Sequence, residues 1–142
     1  MTEASNETFE DQPAEDEVSF ESFELKEEEI AGAREGARER WTRVKDDPSG
    51  DAFIALVDGR VVGSAGAGYT DAGLYLGGGN VAKGARGRGV YRALVRARWD
   101  VAVARGTPAL VVQAGEMSRP ILERLGFRTV CTIRLFVDDS GA

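Results

Sequence analysis

The stretch VAKGARGRGVYRAL, residues 81–94, decides the fold, because a strand end, a glycine-rich turn and a helix start follow one another in it. Gly87 and Gly89 permit tight main-chain turns and leave the neighbouring N–H groups uncovered by side chains. The start of a helix adds unpaired N–H donors and a partial positive charge. This combination predicts an anion site, most simply for a phosphate, which Arg86 and Arg88 would strengthen.

The segments on either side of this turn predict a strand and a helix. A helix follows, because apolar residues recur at spacings of three or four at Val90, Leu94, Ala97 and Val101. It is expected to end near Gly106, since glycine commonly terminates helices. A strand over residues 74–81 precedes the turn. Its three consecutive glycines, 77–79, predict a bulge or the close approach of another molecule to the main chain.

Periodicity and turn residues predict the other elements. In chain order they are a strand over 18–25, a helix over 27–45, a hairpin over 52–68 around Asp58-Gly59, a strand over 109–113, a helix from Arg119 and a last strand over 127–137. Alternating strands and helices of this kind indicate an α/β fold with one core.

Composition excludes several classes of function. The chain of 142 residues is 42% hydrophobic, which suits one domain, and no apolar run reaches the roughly 20 residues of a membrane span. No leader opens the sequence, so a cytoplasmic location without membrane contact is expected. Cys131 is the single cysteine and histidine is absent, so neither a zinc site nor a histidine-based catalytic pair is expected.

Charge is distributed unevenly along the chain. Residues 1–30 carry twelve acidic side chains and one lysine, a net charge of −11, so residues 31–142 carry +5. The first 17 residues lack periodicity and are predicted to be an acidic, disordered tail before a domain over 18–142. The basic remainder would attract a phosphorylated ligand. Nucleic acid is not the expected partner, because the arginines lack interleaved aromatic residues.

In their order, the strand, RGRGV and the helix resemble motif A of the GNAT superfamily of acyl-CoA-dependent N-acyltransferases, whose signature is Q/R-x-x-G-x-G/A. Arg86 takes the Q/R place and Gly89 the central glycine, while Tyr91 stands where the family usually has Gly or Ala. LERLGF, residues 122–127, resembles motif B of the same family. Leu122 there replaces the tyrosine that protonates the leaving thiolate in many members.

The resemblance implies a fold and a cofactor. The fold is α/β, with a mixed, mostly antiparallel sheet of about six strands, about three helices and a splayed parallel pair formed by the fourth and fifth strands. The chain looks like a short single-domain form, similar to the cofactor-binding half of tandem GNAT proteins. The implied cofactor is acetyl-CoA, and the residues implied to bind it are Val81, Lys83, Arg86, Gly87, Arg88, Gly89, Val90 and Tyr91.

The implied function is acetyl transfer from acetyl-CoA to a primary amine on a small molecule or a peptide. The catalytic residues are unassigned. The candidates are Glu116 and Ser118, which would lie beside the thioester, and Tyr75 and Asn80, which flank the three glycines of the strand. Two alternatives remain open: a protein that binds acyl-CoA without catalysis, and a protein-interaction module with the same fold. A homodimer is a further hypothesis, because a second copy would complete the acceptor site.

Overall fold

A computed structural model of the chain describes residues 2–6, 47–138 and 141. Within them five strands form one sheet in the order β1-β2-β3-β4-β5. The strands are β1 (Thr2–Asn6), β2 (Gly50–Val57), β3 (Arg60–Thr70), β4 (Gly73–Val81) and β5 (Leu110–Val112). The helices are α1 (Val90–Ala104) and α2 (Arg119–Arg124), with a 3-10 turn at Lys83–Ala85.

Strand directions confirm the predicted fold class. The pairs β1–β2, β2–β3 and β3–β4 are antiparallel, whereas β4 and β5 are parallel. The predicted hairpin is formed by β2 and β3, and its turn residues Asp58 and Gly59 have φ of 50° and 74°. Both values lie in the left-handed region that a two-residue type I′ turn requires.

Helix α1 packs on the sheet and forms the core with it. Its buried residues Val90 and Leu94 belong to one cluster with Phe53 and Leu74 from the strands. The helix approaches β3 closely, since a Cβ on Gly63 would lie 2.9 Å from Val90 Cγ1 and 3.3 Å from Leu94 Cδ1. Within the described residues, no helix has the length and apolar composition that a membrane span requires.

The parallel pair is short. Strand β5 pairs with β4 only at residues 74–76, where Leu74 lies opposite Leu110 and Leu76 opposite Val112. Residues 77–81 of β4 continue beyond this pairing, and among the described strands they lie beside β3. The two strands therefore separate toward the end of β4, as a splayed parallel pair requires.

The predicted last strand over 127–137 is wrong. Residues 127–138 have no regular secondary structure, and their apolar side chains are exposed, with Val130 at 89% and Phe136 at 91%. Alternating sequence favours a strand only where a neighbouring strand can accept its hydrogen bonds. Strand β5, which ends the sheet, is three residues long and is not paired with this segment.

Among the N-terminal predictions, only the one for residues 2–6 can be compared with the described residues. Residues 2–6, expected to be disordered, form β1, which pairs with residues 53–57 of β2. Main-chain hydrogen bonds need no apolar pattern, which explains why composition missed this strand. The strand predicted over 18–25 and the helix over 27–45 lie outside the described residues. A domain boundary after residue 17 stays a prediction.

Candidate functional site

The loop between β4 and α1 is held by hydrogen bonds within itself and to the end of β4. Ala85 is buried and fixes the loop to the core. Arg86 donates its main-chain N–H to the carbonyl of Lys83 and its Nε to the carbonyl of Val81, both at 3.3 Å. The Arg86 side chain thus ties the loop to the end of β4, so the loop conformation is set before any ligand arrives.

The second half of this loop leaves main-chain donors uncovered. Gly87 and Gly89 have φ of 74° and 81°, a conformation that side-chain-bearing residues rarely adopt. No atom lies within 4 Å of the place a Cβ would take on either residue. Gly89 is the N-cap of α1 and provides no side-chain cap. Within the part of the chain that the structure describes, the N–H groups of residues 87–89 make no hydrogen bond.

The loop therefore suits an anion. Exposed N–H groups, the positive end of a helix of 15 residues and the exposed Arg88 all favour negative charge at the same place. Val90, by contrast, is 1% exposed, so its side chain anchors the helix start in the core and only its main chain faces the loop.

Strand β4 has the bulge that its glycines predicted. Gly77 lies opposite Gly66 and Asn80 opposite Ser64, so two residues of β4, 78 and 79, oppose one residue of β3. Gly78 has a φ of 50°, and the Asn80 Nδ2 donates to its carbonyl at 3.1 Å. The bulge lies beyond the last residue of β4 that pairs with β5, in the part that separates from it.

A buried arginine supports the bulge from the helix. Arg98 of α1 is 1% exposed, and its Nη1 donates to the carbonyls of Gly66 at 3.0 Å and Gly77 at 3.4 Å. Its Nε donates to the carbonyl of Leu94, while Nη2 is buried without a partner. Burial lowers the pKa of Arg98 to about 10, which leaves the guanidinium charged at neutral pH.

Tyr91 contacts both sides of the separation between β4 and β5. A Cβ on Gly79 would lie 2.8 Å from the ring of Tyr91, so the ring lies directly against the bulge. On the other side, the Tyr91 hydroxyl interacts with the side chain of Ser118, the N-cap of α2. Burial raises the pKa of Tyr91, and the Arg98 charge and Ser118 oppose that rise.

A groove of about 300 Å³ lies on the sheet beside the bulge. Its floor is formed by small residues of β2 and β3, and Tyr75 and Gly77 of β4 line it. Two carboxylates, Asp47 and Asp51, stand at its edge. Asp47 accepts a hydrogen bond from the Ser49 N–H, which together with the Ser49 side chain lowers the pKa of this carboxyl.

The four predicted catalytic candidates do not form one cluster. Tyr75 is 41% exposed and faces the groove, whereas Ser118 interacts with Tyr91. Asn80 stabilises the bulge, and Glu116 is exposed before α2. Leu122, at the place of the tyrosine of motif B, is 2% exposed, so its side chain belongs to the core.

The predicted cofactor residues, unlike the catalytic candidates, lie in one continuous segment from the end of β4 to the start of α1. Val81 ends β4, Lys83 begins the 3-10 turn, and residues 86–90 form the open loop. Tyr91 begins the next turn but points to the bulge, away from the loop. These positions agree with a single site, while their contacts with a cofactor stay a prediction.

Sequence reasoning missed Arg98. The signal was present, because Val90, Leu94, Arg98 and Ala102 recur at intervals of four and all four are buried. The sequence analysis did not single out Arg98, because its charge is typical of a surface residue, although its spacing puts it on the core face.

Comparison with known families gives one match. The model of the acetyltransferase (GNAT) family matches residues 7–127, which is most of the chain. No curated protein sequence matches.

Solved structures show the same fold at low identity. A transcriptional regulator from Bacillus halodurans superposes with a TM-score of 0.78 at 14% identity, covering 97% of this chain and 100% of that one. The protein AAC(6')-Iy, in complex with the bisubstrate analogue CoA-S-monomethyl-acetylneamine, gives a TM-score of 0.75 at 15% identity, with 97% of this chain and 98% of that one covered. The ribosomal-protein-S18-alanine N-acetyltransferase of Escherichia coli gives 0.71 at 17%, with 92% and 80% covered.

Proposed function

Because the chain belongs to the acetyltransferase (GNAT) family, we propose that it transfers an acetyl group from acetyl-CoA to the nitrogen of a primary amine. The observation that carries the proposal is the open loop that follows β4, in which the N–H groups of residues 87–89 make no hydrogen bond within the described part of the chain. Acetyl-CoA, when bound, supplies a thioester whose carbonyl carbon is the acceptor of the amine.

The loop would hold the diphosphate of the cofactor. The N–H groups of residues 87–90 would donate to its oxygens, and the positive end of α1 would favour its charge. Arg88 adds a further positive charge from the exposed side of the loop. Arg86 contributes differently, because its Nε is already bonded to Val81 and keeps the loop in shape.

The part of β4 beyond its pairing with β5 would hold the extended arm of the cofactor. The pairing with β5 ends at residue 76, so an extended ligand would lie along the main chain of the glycines that follow, residues 77–79. Val81 and Lys83, at the junction of strand and loop, are the expected first contacts. This arrangement would direct the thioester toward the bulge at residues 78–79.

The groove beside the bulge receives the acceptor amine. It reaches Gly77, and Asp47 and Asp51 at its edge favour an acceptor that carries positive charge. Holding the amine and the thioester at one place removes much of the entropic barrier to their reaction. The Asp51→Asn variant tests this: we expect a raised KM for a cationic amine and an unchanged KM for acetyl-CoA.

A thermal-shift titration tests cofactor binding. Coenzyme A at 100 times its dissociation constant should add about 2.7 kcal/mol to the free energy of unfolding. The double variant Arg86→Glu with Gly89→Val should abolish the shift, because it reverses a loop charge and forces a β-branched residue into a left-handed conformation. An unchanged shift in this variant would contradict the assignment of the loop.

A second function is favoured by Leu122, which removes the proton donor that motif B usually supplies. A protein that binds acyl-CoA without catalysis would show the thermal shift but no release of free thiol with a panel of amines. An interaction module of the same fold would show neither. Measuring the shift and the thiol release together therefore separates the three functions.

Assembly as a homodimer stays a prediction. Gel filtration with light scattering tests it, and a strict monomer at micromolar concentration would remove it.

A further inference from the structure

The segment that follows α2 exposes apolar side chains along most of its length. The side chains of Val130, Leu135, Phe136 and Val137 are each at least 81% exposed, and Ile133 is 55% exposed. Single apolar residues are common on protein surfaces, whereas a contiguous set of large ones is typical of an interaction site. We call residues 128–137 the apolar arm.

Within the described residues, the main chain of the apolar arm is unpaired as well. Phe127 donates its N–H to the carbonyl of Leu122 at 3.1 Å, which ties the start of the arm to α2. Beyond this bond, the N–H and carbonyl groups of the arm make no hydrogen bond in the part of the chain that the structure describes. A surface that buried the arm would therefore have to cover its side chains and also pair with its main chain. An open strand edge does both.

Strand β5 has such an edge. Among the described strands its neighbour is β4, and the Ala109 carbonyl accepts a hydrogen bond from the Leu74 N–H at 2.9 Å. Main-chain groups of successive strand residues point to opposite sides, so those of Leu110 and Val112 point away from β4. Val111, between them, is 61% exposed, so an apolar side chain lies beside this edge. An open edge with an apolar neighbour favours pairing with another chain.

We propose that two copies of this chain form a dimer in which the apolar arm of each copy adds a strand along the open edge of β5 in the other. The sequence of the arm suits this role, because Ile133, Leu135 and Val137 alternate with Thr132 and Arg134. Residues two apart lie on one face of a strand, so a strand formed by the arm would have one apolar face to cover.

A second copy suits this surface better than a different protein, because the chain contains both an unpaired segment of strand-like sequence and an open strand edge. A reciprocal exchange about a two-fold axis covers both features in both copies. A different partner that offered an edge would leave β5 open, and one that offered a strand would leave the apolar arm exposed. The arm does not occupy the edge of its own β5.

Hydrogen exchange measured by mass spectrometry over a dilution series of the full chain tests the proposal, and light scattering gives the mass at each concentration. We expect a dimer at micromolar concentration in which the amides of residues 128–137 exchange slowly. The same amides should exchange fast once dilution gives monomers. Protection that persists in the monomer would mean that the arm pairs within its own chain and would overturn the proposal. A monomer at micromolar concentration, or a dimer with an unprotected arm, would overturn it too.

Leu135→Glu tests the side chains of the arm, because burying a carboxylate in an apolar contact is unfavourable. We expect the dissociation constant of the dimer to rise about tenfold or more. Val103→Glu, which makes the same change at a half-exposed position of α1, is the matched control and should leave the dissociation constant unchanged.

Val112→Pro tests the edge, because it removes the N–H that points away from β4, and proline is accepted at such edge positions. It should weaken the dimer by a similar factor, while circular dichroism shows that the monomer is folded. A dimer that withstands both Leu135→Glu and Val112→Pro would join through another surface and contradict the exchange. None of these measurements involves acetyl transfer, so the dimer interface and the proposed function can fail separately.

Discussion

The two halves of β4 belong to one strand but have different surroundings. Residues 74–76 are paired on both sides, with β3 and with β5, and Leu74 and Leu76 are buried. Residues 77–81 lie beyond the pairing with β5, contain the bulge and lead into the open loop. The difference teaches that core packing and the ligand contact proposed above lie in different halves of one strand, so substitutions in each half should have different consequences.

Leu74→Ala, in the paired half of β4, should have the largest effect on stability. Leu74 is 1% exposed in the core, so its truncation is expected to lower the free energy of unfolding by about 3 kcal/mol. Urea denaturation measures the loss, and coenzyme A affinity at temperatures where the variant is folded should be unchanged. Val111→Ala on β5, 61% exposed, is the control and should cost less than about 0.5 kcal/mol.

Arg98→Met should have the next largest effect on stability, because Arg98 hydrogen-bonds to both β3 and β4 at the point where the two halves of β4 meet. Its loss leaves the carbonyls of Gly66 and Gly77 without their donor from α1, at an expected cost of about 2 kcal/mol in urea denaturation. Arg98→Lys should lose less, since it keeps one donor. A variant more stable than wild type would show that burial of the charge costs more than its hydrogen bonds contribute.

Gly79→Ala should disturb the open half specifically. The new Cβ would lie 2.8 Å from the Tyr91 ring, so the ring has to move, at an expected cost of about 1 kcal/mol. Gly77→Ala provides the matched control, because no atom lies within 4 Å of its Cβ position. Equal stability losses in both variants would argue against close packing of Tyr91 on the bulge.

The smallest expected effect is a pH dependence of stability at the paired half of β4. Tyr69, which lies opposite Leu74, donates a hydrogen bond from its hydroxyl to Asp51. Burial and, after it, this hydrogen bond raise the pKa of Tyr69 to about 12, and the nearby Arg105 charge opposes the rise. Since the pKa of Tyr69 in the folded protein exceeds the unfolded value of 10, its contribution to the free energy of unfolding is complete below pH 10. This contribution is lost as pH rises toward 12. Urea midpoints should therefore fall more steeply over that range in wild type than in Tyr69→Phe.

Sequence reasoning recovered what local residues determine. The Asp58-Gly59 turn, helix α1, its end near Gly106 and the glycine bulge depend on a few neighbouring residues, and all four are present. The last strand over 127–137 depended on a distant partner, which alternation cannot supply. The contact of Tyr91 with Gly79 joins residues of two elements, and the burial of Arg98 was hidden by its charge, so neither followed from composition or spacing.

The bulge has one more consequence, which concerns how the gene can change. Leu74, Leu76, Gly79 and Val81 all turn toward α1, and Tyr75 and Gly77 turn toward the groove, so Gly78 is the one residue that interrupts a strict alternation. Loss of a single glycine codon would restore an uninterrupted ladder without turning any of these residues to the other side. A straight-stranded descendant of this protein is therefore one in-frame deletion away, and it would keep its core while changing the path of the main chain between β4 and the open loop.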